Sequence, residues 1–231
     1  MKALASLYIS EALSESSGIE VLPLTPCEAL DTPVNTHADM LTFVLENKIF
    51  TYGSYYSQNK QIFDAARSDG YEIIAVSREC SKKYPNDIML NALVMGKTLY
   101  ANLKHIAKEI INIATELGYT LINVKQGYSA CSTLALDADN AITADKGMYR
   151  ALCESGKKAV LISEKGIKLD GYNCGFIGGA SCVIGKNVYF YGEIQNHPDY
   201  EKIHKKLVEL SMNEISILAA DVVDFGGARL F

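Results

Sequence analysis

The chain has 231 residues, 48% hydrophobic and 21% charged, which is enough to bury one large core or two small ones. A net charge of −5 without any basic block disfavours a nucleic-acid groove or a polybasic membrane anchor. No apolar run approaches the ~18 residues of a membrane span, and Met1–Ser10 carries one cation and too short an apolar run for a secretory signal, so the expected location is the cytoplasm.

In chain order the sequence repeats one grammar of strand, turn, hairpin, helix and stop. It opens on a half-unit, with a strand expected over Lys2–Ile9 and a short helix over Ser10–Ser16 ending at Gly18. The first full block starts with the strand Ile19–Leu24 and turns through Asn35-Thr-His-Ala-Asp39. A hairpin follows from Met40–Leu45 and Lys48–Tyr52 around Glu46-Asn47, then a helix over Gln58–Ser68 stopped by Asp69-Gly70. The second runs from Tyr71–Val76 through the turn Tyr84–Asp87. Its hairpin is Met89–Val94 with Thr98–Ala101, and its helix Ile106–Leu117 stops at Gly118. The third has the strand Tyr119–Val124, a turn holding Cys131, the pair Leu134–Leu136 and Ala141–Ala144, and a helix Gly147–Ser155 before Gly156. The fourth has Ala159–Ile162, a turn over Asp170–Gly179, the hairpin Ala180–Ile184 with Asn187–Tyr191, and the helix Tyr200–Leu210. The fifth begins with Glu214–Leu218, turns at Asp221–Gly227 and stops after Ala228–Phe231. Its missing second hairpin strand and helix are the half-unit at the N-terminus. One domain over 1–231 is therefore expected, in repeats near 19–70, 71–118, 119–156, 157–212, and 213–231 with 1–18, closed by pairing of the two terminal segments.

Cys27, Cys80, Cys131, Cys153, Cys174 and Cys182 form no CxxC pair, and their spacing fits neither a disulfide framework nor a zinc site. In a reducing compartment most are expected to be small buried hydrophobes. The glycines of Gly175–Gly179 lead into a hairpin rather than a helix and lack a Walker lysine or GxGxxG, so they are no phosphate loop. Neither a cofactor nor a metal is expected.

Five ββαβ-type units in this order resemble the pentein α/β propeller, the fold of the guanidine-modifying enzymes and of the non-catalytic ribosome anti-association factor. The segments are most similar to those of the dimethylarginine dimethylaminohydrolases in circularly permuted order. Lys125-Gln-Gly-Tyr-Ser-Ala-Cys131-Ser-Thr-Leu-Ala-Leu resembles their nucleophile segment, and His37-Ala-Asp-Met-Leu-Thr-Phe-Val their histidine hairpin. Pro85-Asn-Asp87-Ile-Met-Leu-Asn91 resembles the unit between those two, and Val223-Asp224-Phe-Gly-Gly227 the segment supplying the triad carboxylate.

The resemblance implies a cysteine-dependent hydrolase or transferase acting on a C–N bond of a guanidine or amidine-like small molecule. Cys131 would be the nucleophile, His37 the proton shuttle, and Asp224 the group that orients His37. Each has a plainer reading: a buried structural thiol, a loop histidine, and a turn aspartate before Gly226-Gly227, with Asp221 as a rival. Asp39, Asp87 and Asp170 either hold a substrate cation or close turns, and Asn91 and Lys125 are weaker site candidates. His105, His197 and His204 are expected to be solvated. Phe176-Ile-Gly178-Gly179 departs from the pattern. Glycines and Ala228 stand where the relatives carry acids against the guanidinium, so the usual clamp is weakened or moved and arginine-like ligands are expected to be poor. The alternative reading is a non-catalytic binding or assembly protein on the same fold.

Overall fold

The computed structural model describes all 231 residues and has five three-stranded sheets, each built in the same way. In the first complete unit β3 (Thr42–Leu45) pairs antiparallel with β4 (Lys48–Tyr52), and β4 pairs parallel with β5 (Glu72–Val76). Two helices, α3 (Gly53–Gln58) and α4 (Lys60–Ser68), make the crossover that a parallel pair requires. The same pattern joins β6 (Leu93–Met95), β7 (Thr98–Ala101) and β8 (Thr120–Asn123) through α5 (Lys108–Glu116). It joins β9 (Thr133–Ala135), β10 (Asn140–Thr143) and β11 (Lys158–Leu161) through α6 (Lys146–Glu154). It recurs in β12 (Ser181–Ile184), β13 (Asn187–Phe190) and β14 (Asn213–Ser216) around α7 (Tyr200–Glu209).

The fifth sheet draws on both ends of the chain. Its first strand is β15 (Ala228–Leu230), antiparallel to β1 (Lys2–Ser6), and β1 runs parallel to β2 (Glu20–Leu24) after α1 (Ser10–Ser17). Backbone bonds continue past the ladder, with Lys2 N–H donating to Phe231 O at 2.8 Å and Phe231 N–H to Lys2 O at 2.9 Å. The expected pairing of the termini is present.

Burial explains the composition of each strand. The middle strands β1, β4, β7, β10 and β13 are covered on both faces, and they read as nearly continuous apolar or small residues. Each helix is amphipathic and seals its sheet with one stripe: Phe63 and Ala66 in α4, Ile110 and Ala114 in α5, Met148 and Leu152 in α6, Ile203 and Leu207 in α7. The inner strands β3, β6, β9, β12 and β15 together line one cavity of about 310 Å³, which sets the five sheets around a common centre.

Several elements differ from the sequence expectation for local reasons. The helix expected over Gln58–Ser68 begins earlier and breaks at Asn59, whose side chain donates to Tyr55 O and accepts from the Thr25 hydroxyl. Met40 and Leu41 belong to a single helical turn, α2 (Ala38–Leu41), rather than to a strand. Met89–Asn91 form a turn, closed by Asn91 N–H on Ile88 O, so β6 is short. After α7 the left-handed position is taken by Ser211 (φ 52°), where Gly18 (φ 72°) and Gly118 (φ 75°) serve after α1 and α5.

Candidate active site

The residues singled out by sequence sit in equivalent places. In each unit the chain leaves the parallel strand, crosses the top of the molecule in a loop, and descends into an inner strand. His37 precedes α2 and β3, Asn91 precedes β6, Cys131 precedes β9, Gly178 and Gly179 precede β12, and Asp224 precedes β15. Cys131, His37, Asp224 and Asp87 line one cavity of about 280 Å³, walled by Met40, Tyr128, Tyr172 and Phe176.

Cys131 is almost completely buried, 4% exposed. Its thiol lies 2.9 Å from Asn91 Nδ2. The same amide donates to Asp39 O at 3.0 Å, while Asn91 Oδ1 accepts from Ala130 N–H at 2.8 Å. Asn91 therefore ties the Cys131 loop to the His37 loop. His37 Nδ1 is 3.7 Å from Asp224 Oδ1, an ion pair when His37 is protonated but longer than a hydrogen bond. The Asp224 carboxylate accepts from Phe176 N–H at 2.9 Å and Gly226 N–H at 3.0 Å, which fixes its orientation. Asp39 lies beside Cys131, yet neither of its carboxylate oxygens has a hydrogen bond of ordinary geometry.

Charge in this cluster is costly. Burial, then Asp39 and Asp224, raise the Cys131 thiol well above its ordinary range, with Asn91 opposing. Burial likewise raises Asp39, against the pull of Arg229 and His37. Asp224 is pushed up to about 6 by burial, offset by His37 and reinforced by Asp39. A buried sulfur beside Asp39 and Asp224 is held towards its neutral thiol form. The Cys27 and Cys80 thiols lie 3.9 Å apart, and the hydrogen bond between them lowers one thiol at the other's expense.

The glycines have a steric role. A Cβ on Gly179 would stand 2.0 Å from Asp224 Oδ1, and one on Gly178 would stand 2.2 Å from Ala130 O. Gly179 N–H donates to Cys131 O at 3.1 Å. These residues bring the Cys131 and Asp224 loops together, and neither is in the lining of the site cavity. Gly226 does the same for His37, whose Cβ would be 2.3 Å from an added methyl.

Other candidates fall elsewhere. Asp170 is exposed, outside the cavity lining, and Lys125 is exposed. Asp221 pairs with Lys168 at 2.5 Å on the surface, so it is no rival to Asp224. His204 is exposed, but His197 is buried and lowered by that burial, with Nδ1 accepting from Asp199 N–H, contrary to the solvated reading. The sequence reading missed Tyr128, Tyr172, Phe176 and Cys174 in the cavity wall. Tyr128, Phe176 and Cys174 stand within a few residues of motif positions, which was the available signal. No group of three or more His, Cys, Asp or Glu is placed to hold a metal ion, and no helix is long and apolar enough to cross a membrane.

Residues 5–228 match the family of unknown function DUF6873. The chain belongs to that family. No curated protein matches it. Solved structures of similar fold include DDAH from Pseudomonas aeruginosa, a cysteine-to-serine mutant complexed with citrulline. It has a TM-score of 0.56 and 11% identity, over 98% of this chain and 95% of that one. Inosamine-phosphate amidinotransferase from Streptomyces griseus gives 0.59 and 12%, over 95% and 76%. Agmatine deiminase from C. jejuni gives 0.55 and 13%, over 94% and 87%. At this identity the likeness establishes the fold, which is the pentein fold.

Proposed function

We propose that the protein is a cysteine-dependent enzyme acting on a C–N bond of a guanidine or amidine-like small molecule. The observation that carries the reading is that Cys131, His37 and Asp224, from three different units, line one cavity while Asp39 stands beside the thiol with both oxygens unbonded. A planar cation carries N–H donors that suit such a carboxylate. It also supplies positive charge next to the sulfur, offsetting the two carboxylates that hold the proton on Cys131. The thiol is then acidified by the substrate rather than by the resting protein.

The steps follow from that charge balance. His37 takes the thiol proton, and the Cys131 thiolate forms a C–S bond with the central carbon. The C–N bond breaks as His37 returns the proton to the leaving amine, giving a thiouronium-type adduct. Water then loses a proton to His37 and attacks the same carbon. The C–S bond breaks, the thiol is regenerated, and a ureido or amide product leaves; an amine in place of water makes the enzyme a transferase. Asp224 holds His37 by its charge. The similar structures named DDAH, amidinotransferase and agmatine deiminase support this chemistry by analogy. So does the segment order, read as a circular permutation of the hydrolases.

The near-complete burial of Cys131 favours a second reading, a protein that holds its ligand without turnover. Ammonia or amine release from a panel of alkylguanidines, arginines, amidines and ureido compounds separates the two. Turnover is expected with at least one cationic compound, and Cys131→Ala is expected to lower it by at least about 10³-fold. Binding without release from any compound supports the second reading.

A further inference from the structure

Asp87 is the one carboxylate of the cavity lining that the chemistry above leaves unused. It is 7% exposed. Its Oδ2 accepts from the Tyr128 hydroxyl at 2.6 Å, while its Oδ1 is buried without any partner. Tyr128 is flanked by Phe176, with ring centroids 6.1 Å apart, and on its other side by Tyr84, also at 6.1 Å. Tyr172 stands over the same wall. A buried carboxylate oxygen with no donor is costly unless a cation or a water meets it, and aromatic faces around it favour an organic cation. Burial raises the Asp87 carboxyl, so a cation there would also relieve the group itself.

The lining contains no lysine and no arginine, whereas it holds both Asp87 and Asp224; Asp39, next to Cys131, already has the charge of Arg229 acting on it. The cavity's one cationisable side chain, His37, already faces Asp224, so a ligand bearing a carboxylate would meet the remaining acid without a counter-ion of its own. We infer that the substrate is a carboxylate-free dication, with an amidinium or guanidinium at Cys131 and an ammonium held by Asp87 within the Tyr128–Tyr172–Phe176 wall. This rests on the catalytic reading above for the group presented to the thiol, and adds the recognition of the other end.

The test is calorimetric binding of alkylguanidines, ω-aminoalkylguanidines of three to five methylenes, and arginine to the wild-type protein and to Asp87→Asn, with amine release followed in parallel. In the wild type the best aminoalkylguanidine is expected to bind at least about 10-fold tighter than both its methyl-terminated counterpart and arginine. In Asp87→Asn the ratio between the charged and uncharged tails is expected to fall to within about 2–3-fold. Equal affinity for the two tails, preference for arginine, a ratio unchanged in Asp87→Asn, or no binding by any of the compounds overturns the proposal. The wild-type series is decisive even if the variant does not fold. The expected order of affinities without release would leave this subsite standing and remove the catalytic reading; release with a flat order would do the reverse.

Discussion

Asp224 shows at the scale of one residue how the site is held together at a cost. Two backbone N–H groups and His37 orient it, but burial dominates and its pKa rises to about 6. A carboxyl that binds its proton more tightly folded than unfolded stabilises the fold at low pH. That contribution is complete below the unfolded value near 3.8 and is lost as pH rises towards 6. The unfolding free energy of the wild type, from urea titrations, is therefore expected to fall between pH 4 and pH 6, by an amount on the order of 3 kcal/mol from this group. Asp224→Asn is expected to flatten that limb. Parallel curves for the two proteins would show that Asp224 is not the group responsible. At this scale the sequence was partly legible. Short motif resemblances point to Cys131, His37 and Asp224, which share one cavity, whereas nothing local marks Asn91, whose contacts are with Asp39, Ala130 and Cys131 in other loops. The resting protonation of Cys131 could not be read either, since it depends on which carboxylates the fold brings beside it.

At the scale of elements, the periodic parts were the legible ones. The middle strands and amphipathic helices announce themselves by apolar pattern, and the turns after α1 and α5 by Gly18 and Gly118. The loops descending into inner strands were harder, because their shape is set by side-chain bonds across the molecule. Asn59, bonded by the Thr25 hydroxyl, interrupts an expected helix, and Asn91, bonded by Ala130 N–H, shortens an expected strand. Gly178-Gly179 is the clearest case. The sequence marks it as a lost acidic clamp, whereas the fold uses it for close approach of two loops. Gly179→Ala would force its methyl into the Asp224 carboxylate. It is expected to cost about 2–4 kcal/mol in stability and at least about 10²-fold in turnover, measured by urea unfolding and by kcat/KM. Unchanged turnover would mean that the position of Asp224 does not matter to the reaction.

For the whole molecule, the decisive feature is that one sheet is shared by the two ends of the chain. β15 pairs with β1 and also lines the central cavity, and the Phe231 ring packs edge-on to Tyr71 at 5.1 Å. Removing Ala228–Phe231 strips β1 of its neighbour and opens a buried strand edge. The expected result is a loss of more than about 3 kcal/mol, with a broadened thermal transition. A truncated protein as stable as the full chain would show that the terminal pairing is incidental. The split hairpin was legible from the two incomplete blocks, while the common cavity required coordinates. His37 and Cys131, from different sheets, line one cavity, and in the proposed function a cation bound there activates the thiol. The most direct measurement is the rate of Cys131 alkylation near pH 7 by chloroacetamidine, a cation, against chloroacetamide, its neutral counterpart, with the site read by peptide mass. Labelling of Cys131 by the cation is expected to be at least about 10-fold faster than by the neutral reagent, after correction for intrinsic reactivity. Equal rates, or cationic label directed to Cys27 or Cys153 instead, would contradict it.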